Sequence, residues 1–243
     1  MERNAYFWNE KKVFDFAEIA LQNSLAEKRI NGSESESYLS TLFSVATAIN
    51  NQGHFVEAEP LYRQVLAGYQ KLDETETFAN LTMHLAKNLI SQSKFSEAEH
   101  LYQDLLTQAE KVSDNQGRLS TLNGLAMLAE QKEDFDQAVI YRKQALELAR
   151  QKLGAEHPRF ATFPFMLASL LAHLRRFDEA ETHYREAQAC EKATIGEIHP
   201  EYAVTIEALA NVLEAKGDYA EAEELRKQVS ALHEHHGGIE LAF

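Results

Sequence analysis

Apolar residues recur along the chain at helical spacing, in two stripes separated by a short polar turn, and the pair of stripes appears five times. The last copy displays it plainly. Val204, Ile206, Leu209, Ala210 and Leu213 mark one stripe, and Tyr219, Ala222, Leu225 and Val229 mark the next. The fixed points are an aromatic residue followed three places later by alanine, at Phe55/Ala58, Phe95/Ala98, Phe135/Ala138, Phe177/Ala180 and Tyr219/Ala222, at intervals of 40, 40, 42 and 42 residues. A second alanine stands nine places before each aromatic (Ala46, Ala86, Ala126, Ala168 and Ala210), preceded by Val45, Leu85, Leu125, Leu167 or Leu209. Small residues where antiparallel helices cross let the backbones approach and leave room for the neighbouring ring. The pattern predicts an all-α array of helix pairs stacked into one solenoid.

The punctuation agrees with this reading. Asn51-Gln52-Gly53, Ser91-Gln92-Ser93 and Lys216-Gly217-Asp218 mark turns inside pairs. Between pairs, Leu153-Gly154-Ala155-Glu156-His157-Pro158 and Ile195-Gly196-Glu197-Ile198-His199-Pro200 share one plan: glycine closes a helix and proline opens the next. His157 and His199 therefore read as junction residues. Pro164 falls inside the expected first helix of the fourth pair, which should bend or start late. Phe14, Ala17, Leu21 and Leu25 mark a single helix within residues 1–30, a half-repeat capping the first pair. A polar linker over 31–37 leads to a helix beginning near Tyr38. The repeats then occupy about 38–72, 77–112, 117–152, 158–193 and 200–236, with a tail at 237–243.

The string Phe55-Val56-Glu57-Ala58-Glu59-Pro60-Leu61-Tyr62-Arg63 and the Leu-Gly…His-Pro junction at 153–158 resemble tetratricopeptide repeats, in particular the 42-residue kinesin light chain type. Two departures stand out. Only the first and fifth copies keep glycine in the inner turn, and the third and fifth carry Arg142 and Arg226 where the others have tyrosine. The resemblance implies a right-handed α-solenoid of five helix pairs with an N-terminal capping helix, its concave face lined by the first helix of each pair. Positions 15, 12, 8 and 5 before each aromatic share one face of that helix. They supply the candidate partner-binding residues: Phe43, Thr47 and Asn50; Asn80, Met83 and Lys87; Asn123, Met127 and Glu130; Thr162, Phe165 and Ser169, with His173 beside them; Glu207, Asn211 and Glu214. Phe43, Met83, Met127 and Phe165 are apolar anchors in a row of amides, hydroxyls and charges, a mixture suited to capturing a peptide. Asn50, Asn123 and Asn211 are the amides expected to bond its backbone. Family members that grip acidic peptide C-termini use several lysines or arginines here. This chain offers only Lys87, so that specificity is not expected.

Composition narrows the function further. A net charge of −14 over 243 residues argues against nucleic acid. Acids concentrate over 201–243, where Glu207 and Glu214 favour a partner with basic as well as apolar residues. No run approaches the roughly 18 apolar residues of a membrane span, and the single cysteine, Cys190, suits a reducing, cytoplasmic setting and a packing role. Phosphate loops, zinc helices, Cys-x-x-Cys pairs and calcium loops are missing from the sequence. Glu57, Glu97, Glu179 and Glu221 sit where a helix start favours negative charge. His233, His235 and His236 precede Gly237, a stop signal, and read as a helix end rather than a metal site. The expected function is a non-enzymatic scaffold or adaptor without cofactor or metal, binding a peptide or helical segment of another protein. A partner-responsive regulatory sensor is the alternative, and an enzyme a remote one.

Overall fold

The two-stripe pattern folds as paired helices. A computed structural model of the chain describes residues 35–72 and 75–240, with side chains at 35–72 and 77–232. The half-repeat expected over 1–30 lies outside the described residues, as do most of the linker and the side chains of the histidine cluster. Among the described residues there are ten α-helices and no strand. They are α1 (Glu36–Asn51), α2 (Phe55–Leu72), α3 (Thr75–Ser91), α4 (Phe95–Lys111), α5 (Asn115–Gln131), α6 (Phe135–Lys152), α7 (Thr162–His173), α8 (Phe177–Thr194), α9 (Pro200–Lys216) and α10 (Tyr219–Glu240), with a 3₁₀ turn at Pro158–Phe160.

The helices fall into two compact units, residues to Gly117 and residues from Arg118. In the first, α1 to α4 pack as successive neighbours. In the second, α6 to α10 do so, and α7 also touches α9, so that first helices of adjacent pairs meet. The alanines explain the close packing. All ten, three places after and nine places before each aromatic, are buried to within 1% of full enclosure, and the large residue preceding each of the earlier set is buried too. A methyl group at these points fills the crossing without holding the backbones apart.

All five inner turns have one geometry. The residue two places before each aromatic takes a positive φ: Gly53 at 84°, Ser93 at 60°, Glu133 at 58°, Arg175 at 59° and Gly217 at 95°. Its N–H bonds the carbonyl three residues back, and the next N–H reaches five back, as in Glu133 to Glu130 at 3.0 Å and Asp134 to Ala129 at 2.9 Å. Three of the five thus hold a side-chain residue in a backbone region that favours glycine, at about 1–2 kcal/mol each.

At the outer junctions Gly154 and Gly196 take φ of 81° and 84°. His157 Nδ1 then accepts from Arg159 N (3.1 Å) and His199 Nδ1 from Glu201 N (3.2 Å), so both imidazoles cap the turn that follows. The two junctions diverge afterwards. Pro200 opens α9 directly, whereas Pro158 opens only the 3₁₀ turn and α7 starts four residues later, at Thr162. This late start accommodates Pro164, which now stands in the first helical turn, where its missing N–H leaves no bond unmade.

The first helices of the first three pairs begin two residues ahead of expectation, at Glu36, Thr75 and Asn115, and the last helix runs past its expected end. α1 begins at Glu36, because Ser35 Oγ accepts from Tyr38 N (3.3 Å) and caps it. α10 continues through Gly237 and Gly238 to Glu240, past the expected stop. Glycine permits the left-handed cap without compelling it, and within a helix it costs only about 1 kcal/mol against alanine.

Candidate partner-binding face

The sixteen residues proposed from the sequence lie on the first helices or just beyond, and none is buried. Asn80, Lys87, Met127, Thr162, Ser169, His173, Asn211 and Glu214 are exposed; Phe43, Thr47, Asn50, Met83, Asn123, Glu130, Phe165 and Glu207 are half-buried. Several of the half-buried ones meet a single position on the second helix of their pair, seven residues after the aromatic, which holds Tyr62, Tyr102, Arg142, Tyr184 or Arg226.

Where this residue is tyrosine, its ring packs under the face and its hydroxyl seeks the side chain eight places before the aromatic. Tyr62 donates to Thr47 Oγ1 at 3.4 Å, and Tyr184 is hydrogen-bonded to Ser169. Phe43 leans on Tyr62 with ring centres 6.0 Å apart, and Phe165 meets Tyr184 edge-on at 5.5 Å. Burial pushes both phenols above their ordinary pKa. In the second pair the matching acceptor is replaced by Lys87, which cannot accept. Accordingly the buried Tyr102 hydroxyl has no partner among the described residues.

Where the residue is arginine, glutamate stands five places before the aromatic. Arg142, only 5% exposed, donates from Nε (3.0 Å) and Nη2 (2.8 Å) to Glu130 Oε1 and from Nη1 to Asn123 Oδ1 (3.0 Å). Arg226 binds Asn211 Oδ1 (2.8 Å) and Glu214, with Glu207 at 3.6 Å. The carboxylates expected to attract a basic partner at the C-terminal end are therefore already engaged. Lys87, by contrast, makes no ion pair among the described residues.

The three asparagines are also engaged. Arg142 and Arg226 occupy the oxygens of Asn123 and Asn211, and Asn50 Oδ1 accepts from buried Asn88 Nδ2 at 2.9 Å. Asn88 also donates to the Phe55 carbonyl (2.9 Å), while Gln92 bonds Asn88 Oδ1 (2.7 Å) and Glu59 (2.9 Å). Lys94 and Arg63 complete the cluster at 2.6 and 2.8 Å from Glu59. Hydrogen bonds led by that from Lys94 pull the Glu59 carboxyl down to about 2. The amides expected to bond a peptide backbone thus also make bonds within the protein. The glutamates near helix starts do more than favour the dipole: Arg63 reaches Glu97 (2.7 Å), Lys143 Glu179 (3.7 Å) and Arg185 Glu221 (3.0 Å), each linking one pair to the next.

In the second unit the face hollows into an open cleft of about 660 Å³. Its walls are Phe135, Arg142, Phe165, Met166 and Leu170; Glu130, Gln131, Glu133, Ser169 and His173 supply the polar edge. His173 lies against Phe135 with ring centres 5.4 Å apart. Phe163, on the other side of Pro164 from Phe165, points into the core.

The sequence profile of the tetratricopeptide repeat family matches residues 77–159 and 161–235, more than half of the chain. The chain belongs to the tetratricopeptide repeat family. Its fold is that of a protein-interaction repeat scaffold, a class of typically non-enzymatic modules. A comparison with curated protein sequences gives no match. Among solved structures, this tetratricopeptide repeat protein is similar to BtubC (BKLC) from P. vanneervenii, at 21% identity and a TM-score of 0.75, over 94% of this chain and 92% of that one. It is also similar to kinesin light chain TPR-like repeats from Podospora anserina, at 24% identity and a TM-score of 0.67, over 81% and 95% of the two chains. A third similarity is to a signal transduction ATPase with a tetratricopeptide repeat sensor from Pyrococcus horikoshii: 14% identity, TM-score 0.59, over 80% of this chain and 31% of that one. At such identities the likeness concerns the fold alone.

Among the described residues, no helix is long and apolar enough to cross a membrane. No group of three or more His, Cys, Asp or Glu residues there is placed to hold a metal. Cys190 is buried on α8, and burial raises its thiol above the ordinary pKa.

Proposed function

We propose that this protein is a non-enzymatic adaptor that holds a peptide or helical segment of a partner protein along the groove lined by the first helices. The observation that carries this is the cleft of the second unit. There Phe135, Phe165 and Met166 offer unspent apolar surface beside polar groups already fixed by their own bonds. Such preorganisation lowers the ordering cost of binding. In the second unit Met127 (42% exposed) is a further anchor, with Thr162, Ser169 and His173 as rim; the first unit, taken by itself, offers Phe43 and Met83 with Thr47, Asn80 and Lys87. The acidic charge disfavours nucleic acid as partner, and the single cysteine fits a reducing, cytoplasmic setting.

The test is to isolate a bound protein from native lysate, purify it and measure its affinity directly. Phe165→Ala should weaken binding by about 1–2 kcal/mol, the range of an aromatic anchor, with helicity retained. Unchanged affinity in Phe165→Ala and Met127→Ala together would remove the groove from the mechanism. A sensor role is the second reading, supported by the fold shared with the sensor of the signal transduction ATPase. It requires a partner-induced change in scattering dimensions, which an adaptor does not.

A further inference from the structure

Resting on the groove reading, we infer that the cleft of the second unit is a pocket for one basic side chain, a lysine or arginine of the partner segment. Its walls and its edge ask for opposite things. Phe135, Phe165 and Met166 line the cleft with apolar surface that fits an aliphatic stem, and aromatic rings favour a cation near them. The edge carries Glu130 and Glu133. The titratable groups around the cleft are these two carboxylates, Arg142 and His173. Arg142 is buried and committed to Glu130 and Asn123, so it balances one carboxylate and leaves the other unmatched. A cation at the mouth completes that balance, whereas an acidic group would meet Glu133 directly.

The backbone at Glu133 is fixed. It occupies the left-handed position of the inner turn, φ 58°, where the first and fifth pairs have glycine, and two backbone bonds on either side of it pin the turn. The side chain that bears the carboxylate therefore springs from a fixed backbone position at the cleft.

Random dodecapeptides displayed on phage and selected on the full chain, with the Phe165→Ala variant as counter-selection, provide the probe. Peptides that need Phe165 should be enriched in lysine or arginine beside apolar residues. For a selected synthetic peptide, Glu133→Gln should weaken binding about 3- to 10-fold, as should norleucine in place of the peptide's lysine, with no further loss when both changes are combined. Three results overturn the inference while leaving the groove intact: Phe165-dependent peptides without a basic residue, enrichment of Asp or Glu instead, or basic peptides indifferent to Glu133→Gln. If no selected peptide depends on Phe165, the groove reading falls as well.

Discussion

Pairs three and four, side by side in the second unit, solve one packing problem in two ways. At the position beneath the candidate face, pair three places Arg142 and pair four Tyr184. The arginine donates two charged bonds to Glu130 and one to the Asn123 amide oxygen; the tyrosine meets Phe165 edge-on and is hydrogen-bonded to Ser169. The scaffold tolerates either, provided that the first helix changes with it. The difference extends along the second helix: fourteen places after the aromatic, pair three has Ala149 and pair four has Glu191. Glu191 is 6% exposed, with one oxygen bonded to Thr205 at 2.9 Å and the other without a partner among the described residues.

Breaking the ionic solution should have the largest effect. Arg142→Ala strands Glu130 at a partly buried site and should cost about 3–5 kcal/mol in urea unfolding. Adding Glu130→Ala should return much of that loss. In pair four, Tyr184→Ala should cost a similar amount through its cavity, with no such rescue from Ala substitution at Ser169. Equal rescue in both pairs would erase the distinction between them.

The buried acid sharpens the comparison through pH. Burial, with Glu201 nearby, raises the Glu191 carboxyl from its ordinary 4.5 to about 7. The unfolded chain therefore ionises first. The group's contribution to stability is fully present below pH 4.5 and is lost as pH climbs through 7. Glu191→Gln should flatten that slope and raise stability at pH 8 by about 1–2 kcal/mol. Melting temperatures at pH 5, 6.5 and 8 measure it, and an unchanged slope would show Glu191 ionised throughout. Glu59 runs the other way in the first unit: its lowered pKa contributes stability above pH 4.5 that is lost as pH falls toward 2.

Smaller changes probe the hydroxyl. Tyr184→Phe should cost about 1 kcal/mol, whereas Tyr102→Phe, which removes an unpartnered hydroxyl, should be neutral or stabilising by a similar amount. Introducing threonine at position 87 should reverse the sign at Tyr102. Smallest of all, Glu133→Gly and Arg175→Gly should each stabilise by about 0.5–1 kcal/mol by relieving the left-handed turn. Differential scanning calorimetry resolves both series.

Much of the fold could be read from spacing because helix pairs are set by local rules. Alanine at the crossings, glycine and His-Pro at the junctions, and the displaced start forced by Pro164 all act within a few residues of themselves. The inner turns of pairs two to four were less legible, since Ser93, Glu133 and Arg175 carry no glycine signal, and the shared hydrogen-bond pattern imposes their conformation. Face positions followed from helical periodicity, but their partners did not. Whether Asn50 meets Asn88, or Glu214 meets Arg226, depends on side chains brought together from helices 12 to 38 residues apart. One clue was present in the sequence. Arginine replaces tyrosine only in pairs three and five, the two pairs with glutamate five places before the aromatic.

That short reach has a consequence for how the chain finds its structure. The side-chain hydrogen bonds described above span at most 38 residues, and those closing a pair span 12 to 19. Forming them requires no distant ends to meet, so loop-closure entropy stays small and contact order is low. Each pair can nucleate where it stands and recruit the next, and a pair damaged by mutation slows its neighbours without forbidding them to form.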